Sequence, residues 1–280
     1  MAQLPPHAEP RPARLTQTIV MNPFRLILVL SLALARTSPA ADSPPSANEL
    51  AAQLSALQQD GASYVRLKME IRGAAKETLQ LQIKQRRTKG ATEIVYQVLF
   101  PKERKGESVL LRKIGNRAAT GSTFTPPATV RPIDNLKEPL FGSELSYEDI
   151  IENFFAWDRQ SIVGTGDVDG VSCQILESKP GKGGRSTYGS VRTWIDPRRT
   201  VPLRVEKYSA SGQLLRRIDT TRVVTDAGHY IPANLVVHGA RPDSTTELDG
   251  SRIRHDVTCT DDDFAVEGLK DLTVPRGSSE

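Results

Sequence analysis

Aromatic residues make up only 5% of this chain, and its 280 residues include two cysteines and four histidines. So few aromatic rings offer little for the two interfacial girdles of a lipid-embedded barrel. Cys173 and Cys259 stand far apart with no Cys-X-X-Cys motif, which argues against thiol redox chemistry as the function. Of the histidines, His229, His238 and His255 lie in the body of the chain. No two have metal-ligand spacing and no cysteine adjoins one, so no metal site is expected. His238 reads as a solvent-facing or hydrogen-bonded strand residue. A Gly-X-Ser-X-Gly nucleophile elbow does not occur. Gly164-Thr-Gly-Asp-Val-Asp-Gly170 has the wrong spacing for a dinucleotide loop and precedes a strand, so it reads as a hairpin turn. Gly181-Lys-Gly-Gly184 lacks the flanking residues of a P-loop and reads as a flexible turn. Asp261-Asp-Asp263 lacks the glycine and distal glutamate of a calcium loop, which leaves a solvated loop. Cofactors are expected to be absent.

Long apolar runs are missing too, with one short exception. Leu26 to Ala35 is apolar, follows Arg25 and precedes Ser38-Pro39-Ala40, the layout of a secretory signal. A bilayer span needs about 20 residues, so this run is too short to be one. Residues 1–40 are therefore expected to be a leader, with translation starting at Met1 or Met21 and cleavage after Ala40 or Ala41. Neither cysteine is near that point, so the lipid-attachment pattern of bacterial lipoproteins is missing. The rest, residues 41–280, is expected to be a single soluble, exported, monomeric domain. The leader holds four arginines and one glutamate, which leaves 33 basic and 32 acidic residues beyond it. A near-neutral body gives no electrostatic case for nucleic acid. Arg86 and Arg87, and Arg216 and Arg217, read as solvated strand-edge charges. In an oxidising compartment Cys173 and Cys259 can pair, a long loop worth about 4–5 kcal/mol by chain entropy. Two unpaired buried thiols are the alternative, and both stand.

What the sequence does have is alternation. Ser46 to Gln59 reads as an amphipathic helix, with Ser46 and Glu49 at capping-box spacing and Leu50, Leu54 and Leu57 on one face. From Val65 the period drops to two: Val65, Leu67, Met69 and Ile71, then Leu79, Leu81 and Ile83, then Ile94, Tyr96, Val98 and Phe100. Each such strand has one apolar and one wet face, as in antiparallel sheets. Shorter strands are expected near 108–114, 118–125 and 128–133. Later ones fall near 160–166, 171–178, 187–196, 202–209, 213–224, 230–239, 244–249 and 252–260. Between the two groups, Ser146 and Asp149 form a second capping box and Leu145 and Ile150 a hydrophobic staple. Tyr147, Ile150, Ile151 and Phe154 then share one helical face. The fold class is α+β, mainly β: a strongly curved antiparallel sheet or half-open barrel with covering helices. Its apolar face is either packed shut or open to a hydrophobic ligand.

Gly142-Ser143-Glu144-Leu145-Ser146-Tyr147-Glu148-Asp149 resembles a signature of the LolA-like family, the outer-membrane lipoprotein-sorting carriers of the periplasm. Glu144 and Leu145 depart mildly from it. Thr193-Trp-Ile-Asp-Pro197 and Pro202-Leu-Arg-Val-Glu-Lys-Tyr208 resemble that family's second half. The resemblance implies a half-open barrel that holds acyl chains of lipids or lipoproteins, and no catalysis. Leu67, Met69, Ile71, Leu81, Ile83 and Val98 are the expected cavity-lining residues. An inner-membrane transporter is a possible partner. A second reading is a periplasmic adaptor docking on such a transporter without carrying lipid. A third is a hydrolase built on Glu144, Glu148 and Asp149, although their place in a helix's first turn is better explained by capping and the macrodipole.

Overall fold

Alternation becomes architecture in the computed structural model, which describes residues 45–57, 61–183, 186–239 and 243–277. The expected leader lies outside the described residues. Six strands run outward as a meander: β1 (Gly61–Arg72), β2 (Lys76–Thr88), β3 (Ala91–Phe100), β4 (Ser108–Ile114), β5 (Thr120–Thr125) and β6 (Thr129–Pro132). The chain then crosses to the opposite edge. From there seven strands return: β7 (Arg159–Val168), β8 (Val171–Lys179), β9 (Ser190–Asp196), β10 (Val201–Tyr208), β11 (Leu214–Asp226), β12 (His229–His238) and β13 (Thr245–His255). β13 pairs antiparallel with β1, so one sheet has the order β6-β5-β4-β3-β2-β1-β13-β12-β11-β10-β9-β8-β7. It is curved and unclosed, as the alternation implied. The strands expected at 244–249 and 252–260 run as one strand to His255, with a register shift opposite Val65 and Leu67, while Val257–Thr258 pairs separately with Arg276–Gly277. The turn at Asp169 and Gly170 has two positive φ angles, 50° and 80°, as a tight hairpin needs.

Two helices lie on the inner face. α1 (Ala47–Ala56) starts at the expected capping box: the Ser46 N–H donates to Glu49 Oε2 at 2.7 Å and the Glu49 N–H to Ser46 Oγ at 3.3 Å. Its Leu50, Ala51 and Leu54 are buried against Phe155, Leu176 of β8 and Ile195 of β9. α2 (Tyr147–Ile151) also has its expected box, but it stops before Phe154. Glu152 turns extended, Asn153 accepts the N–H of Phe155 at 3.2 Å, and a 3-10 turn covers Phe154–Ala156. The anticipated apolar face is thereby divided. Tyr147 and Ile151 join Met69, Leu79, Leu81, Ile94, Val98, Val109, Leu111 and Leu140, while Phe154 packs with α1 instead.

The outer face corrects the expectation of a wet side. Over β2 to β5 it is covered by the C-terminal segment, where Phe264 and Leu269 bury against Val95, Leu110 and Phe124. Gln82, Lys84, Gln97 and Ser108 are buried beneath it. Each finds a partner there, as buried polar groups require. Gln82 Nε2 donates to the Leu272 carbonyl at 3.0 Å, Gln97 Nε2 to Leu269 and Asp271 carbonyls at 3.1 and 3.0 Å, and Ser108 Oγ to Leu269 at 2.9 Å. Lys84 Nζ reaches Asp263 Oδ1 at 2.7 Å. Asp261 pairs with Arg86, which also binds Glu93 and stacks over Phe264. The acidic run is thus part of a latch rather than a solvated loop, and Arg86 is not a free surface charge. Cys173 packs with Val168, Val201 and Leu203, whereas Cys259 joins the Phe264 group. Both are free thiols in separate clusters, so the disulfide is not formed in this structure.

Removing one member of the Lys84–Asp263 pair strands a buried charge. Asp263→Ala should therefore cost about 3–5 kcal/mol, whereas Lys84→Met with Asp263→Leu should come close to neutral. Urea melts of the three proteins check this: equal losses in the single and double variants would contradict the latch.

Candidate functional site

Residues opposite each other in an antiparallel sheet share a face, so the register traces the inner surface. Ile83 pairs Val65 and Val65 pairs Ile253. Met69 pairs Leu248, and Leu248 pairs Leu235. The six expected lining residues all lie on this face and divide by depth. Met69, Leu81 and Val98 are sealed beneath Leu140, Tyr147 and Ile151, while Leu67, Ile71 and Ile83 are only partly buried at the margin of that cluster. Leu248 packs at the same margin, and further along Val65, Leu235 and Ile253 remain partly exposed, which continues the apolar row.

The segment Gly142–Asp149 acts as a strap across this face, and each of its acidic residues ties to a different place. Glu144 accepts from Ser244 Oγ, and its N–H donates to Thr246 Oγ1 of β13 at 2.9 Å. Gly239 lies directly against the Glu144 carboxylate, where a Cβ would collide with it. Glu148 accepts from Ser186 Oγ at 2.5 Å and from the Thr187 N–H at 3.0 Å. Asp149, with a fully buried side chain, accepts from the Ser146 N–H at 2.7 Å and pairs with Lys207 of β10 at 2.7 Å and with Arg216 of β11. Tyr188 donates its hydroxyl to Asp149 at 2.8 Å and accepts from Arg216 at 2.5 Å.

Burial pushes the Asp149 carboxyl up, but Lys207 and Arg216 outweigh it and hold the group below the ordinary aspartate value. Burial, with Asp149 beside it, pushes the Tyr188 phenol well up. Asp149 is therefore a fixed anion with its oxygens engaged. Glu144 and Glu148 face other partners, so the three carboxylates do not form an acid/base pair. Ser143, Ser146 and Tyr147 are buried within the strap and Gly142 has a φ of 85°, which suits its turn. Arg216 corrects the surface-charge reading, while Arg217 on the other face pairs with Asp219 at 2.7 Å. Arg87 is half-buried. The His238 ring is in hydrogen-bond contact with Arg217 at 3.5 Å and lies 3.4 Å from Asp219, and His255 meets Asp226 at 2.6 Å. Lys207, Tyr188, Ser186 and Ser244 escaped the sequence reading, because their partners lie 38 to 100 positions away.

Three of the concavities matter for the inner face. A cleft of about 570 Å³ lies between the β4 end and the Pro180–Gly183 turn, with Lys113, Arg117, Trp157 and Lys182 on its walls. The second, about 430 Å³, shares Lys113, Asn116, Glu152 and Trp157 with it and extends to Arg87 and Lys89. Arg87 also lines the third, of about 240 Å³, beside Leu57, Val65, Ile231 and Ile253. None of the described helices is long and apolar enough to cross a membrane.

A family model matches residues 90–271 and bears the description of an uncharacterized protein. No curated protein matches the chain in sequence. Among solved structures, the chain resembles a DUF1329 family protein from Desulfovibrio piger, with 23% identity and a TM-score of 0.74 over 80% of this chain and 97% of that one. It also resembles a domain described as an outer membrane lipoprotein-sorting protein from Vibrio parahaemolyticus, at 22% identity and TM-score 0.73, covering 80% and 98%. A LolA superfamily protein from Nitrosomonas europaea follows at 19% identity and TM-score 0.65, covering 80% and 99%. At these identities the likeness establishes the fold.

The depressed Asp149 value has a sign. Its contribution is fully present above the unfolded aspartate pKa of about 3.9 and is lost as pH falls through the lower folded value. Asp149→Asn should cost about 3–5 kcal/mol at neutral pH, the penalty for orphaning buried Lys207 and Arg216. The gap between variant and wild type should narrow below about pH 4. Denaturant melts across pH 2.5–7 check this (roughly the carboxylate range), and a gap that stays constant would contradict it.

Proposed function

The chain belongs to the family whose model spans residues 90–271 and is LolA-like in fold, and on that premise we propose that it carries acyl chains of lipids or lipoproteins on the inner face of its open sheet. The observation that carries this reading is a row of half-buried apolar side chains that starts at the margin of the sealed cluster with Leu67, Ile83 and Leu248 and continues past it with Val65, Leu235 and Ile253. A globular core has no reason to stop short of them, whereas an acyl chain laid along the row would complete their burial. Each methylene removed from water contributes about 0.8 kcal/mol, so ten of them give about 8 kcal/mol before ordering costs. That range allows loading and release. The work is binding and exchange, without catalysis; the signal-like leader fits export, and the LolA-like resemblance points to a periplasm as the compartment. An outer-membrane lipoprotein or lipid is then the cargo, and an inner-membrane transporter the donor.

A second reading, docking without cargo, draws on the sheet edge. β7 is outermost and exposes Ile162 and Val163, which suits strand addition by a partner.

Uptake of a fluorescent fatty-acyl probe separates the two. Ile253→Glu and Leu67→Glu should each weaken uptake by about tenfold or more, the cost of burying a charge beside the chain, while Ile162→Glu on the outer edge should leave it unchanged. Uptake that is absent in the wild type, or equal in all four proteins, would favour the adaptor.

A further inference from the structure

The two edges of the sheet are built differently. β6 is four residues long and carries Arg131 and Pro132, which blunt an edge against further pairing. β7 is ten residues long, has neither lysine nor proline, and pairs only with β8. Its residues 161–165 are exposed, with Ile162 at 39% and Val163 at 46%. Outward-facing backbone N–H and C=O groups therefore stand beside two exposed β-branched side chains. One irregularity decides what fits there. Ile162 pairs with Leu176, buried on the inner face under α1, whereas Gly166 pairs with Cys173, on the other face of β8. Four residues apart, Ile162 and Gly166 would share a face in a regular strand. Val163 is the extra residue that switches them. Arg159 and Ser161 thus lie on the outer face with Gly164, Gly166 and Val168, and Gln160 and Ile162 lie on the inner face with Thr165 and Asp167.

We infer that a second copy of this chain pairs with β7, edge to edge and antiparallel, about a two-fold axis between Val163 and Gly164. Opposite residues in such a pair must share a face. The register that overlaps the whole of Arg159–Val168 meets that condition on both sides of the axis: Ser161 stands opposite Gly166, Ile162 opposite Thr165, Gln160 opposite Asp167 and Arg159 opposite Val168. The extra residue makes this so, because it sits at the axis in both copies. In a regular ten-residue strand the same full overlap sets inner residues against outer ones. Bulk also meets space, with Val163 opposite Gly164 and Ser161 opposite Gly166. The Trp194 indole nitrogen lies 2.7 Å from where a Gly166 Cβ would stand and has no hydrogen-bond partner among the described residues. Directly opposite Cβ positions are about 5 Å apart, so the Ser161 hydroxyl of the second copy comes within reach of that N–H, twice by symmetry. At each strand end Asp158 of one copy comes near Asp169 of the other, with Arg159 beside them. Charge therefore adds nothing in favour, and the pairing rests on backbone hydrogen bonds and apolar burial. The strip is about 33 Å long and narrow, which sets the dimer at the weak, reversible end of the range. The inference replaces the expected monomer and stands apart from the carrier reading, since the apolar row lies on β1, β2, β12 and β13.

Sedimentation velocity of the full mature chain across micromolar concentrations should show a monomer–dimer equilibrium, and hydrogen exchange should show β7 amides gaining protection as the dimer fills. Val163→Lys and Ile162→Glu change exposed side chains, so both variants should melt like the wild type and stay monomeric. Ser161→Ala should weaken the dimer roughly tenfold or more, the worth of two hydrogen bonds. Val130→Lys on β6 should dimerise as the wild type does, and added salt should not loosen the pairing. Acyl-probe uptake by the monomeric variants should match the wild type, so loss of the dimer and loss of cargo binding are read separately. A chain that stays monomeric at every concentration overturns the inference and leaves the edge to another protein. A dimer that survives both β7 variants, or that Val130→Lys abolishes, overturns it too. Should the β7 variants fail to fold, the exchange of the wild type decides: β7 amides that gain no protection in the dimer overturn the inference.

Discussion

A carboxylate with no exposed surface has to be answered by charge, and Asp149 is answered from three directions. The strap that carries it leaves β6 at one edge of the sheet and enters β7 at the other. Its apolar residues pack on β1 to β4, while its acidic residues reach β10, β11 and the segments before β9 and β13. The same carboxylate closes the capping box that starts α2. Helix, strap and the second meander therefore meet at one ion cluster, while the strap's apolar side packs on the first. A buried pair of this kind contributes little to net stability compared with an apolar substitute, but it is intolerant of losing one partner. What it fixes is where the strap sits, and so which part of the inner face is sealed.

Sealing is partial because the sheet is long and the strap short. Met69, Leu81 and Val98 disappear beneath it, and α1 covers Leu176 and Ile195. The row from Ile83 and Val65 to Ile253, and from Leu248 to Leu235, lies between these covers and remains half-buried. On the outer face the opposite solution is used: the C-terminal segment closes over Gln82, Lys84, Gln97 and Ser108 with its own carbonyls. The outer face over β2 to β5 is closed by the protein itself, whereas part of the inner face is left half-buried.

Local features were legible in the sequence and distant ones were not. Both capping boxes could be read because their partners are three residues apart, and the strands because alternation is a property of each strand alone. The end of α2 could not, since Glu152 is drawn out of the helix by Lys113 and Trp157. The wet-face expectation failed for a related reason. Gln82 and Lys84 look solvated until Asp263 and the Leu269–Leu272 carbonyls come back some 180 residues later. Val95, Leu110 and Phe124, apolar residues on the supposedly polar side, were the available hint. The Gly142–Asp149 phrase is legible as a capped helix start, but the reason for its acidic residues lies in Lys207, Arg216, Ser186 and Ser244, which no spacing rule connects to it.

The central claim is that the open row on the inner face holds an acyl chain. Native mass spectrometry of the mature protein, purified from the soluble fraction of its own host and followed by lipid extraction, tests it most directly. A bound species whose extra mass matches an acyl lipid recovered in the extract is the predicted result. A bare mass, still bare after incubation with host membranes, would contradict the account.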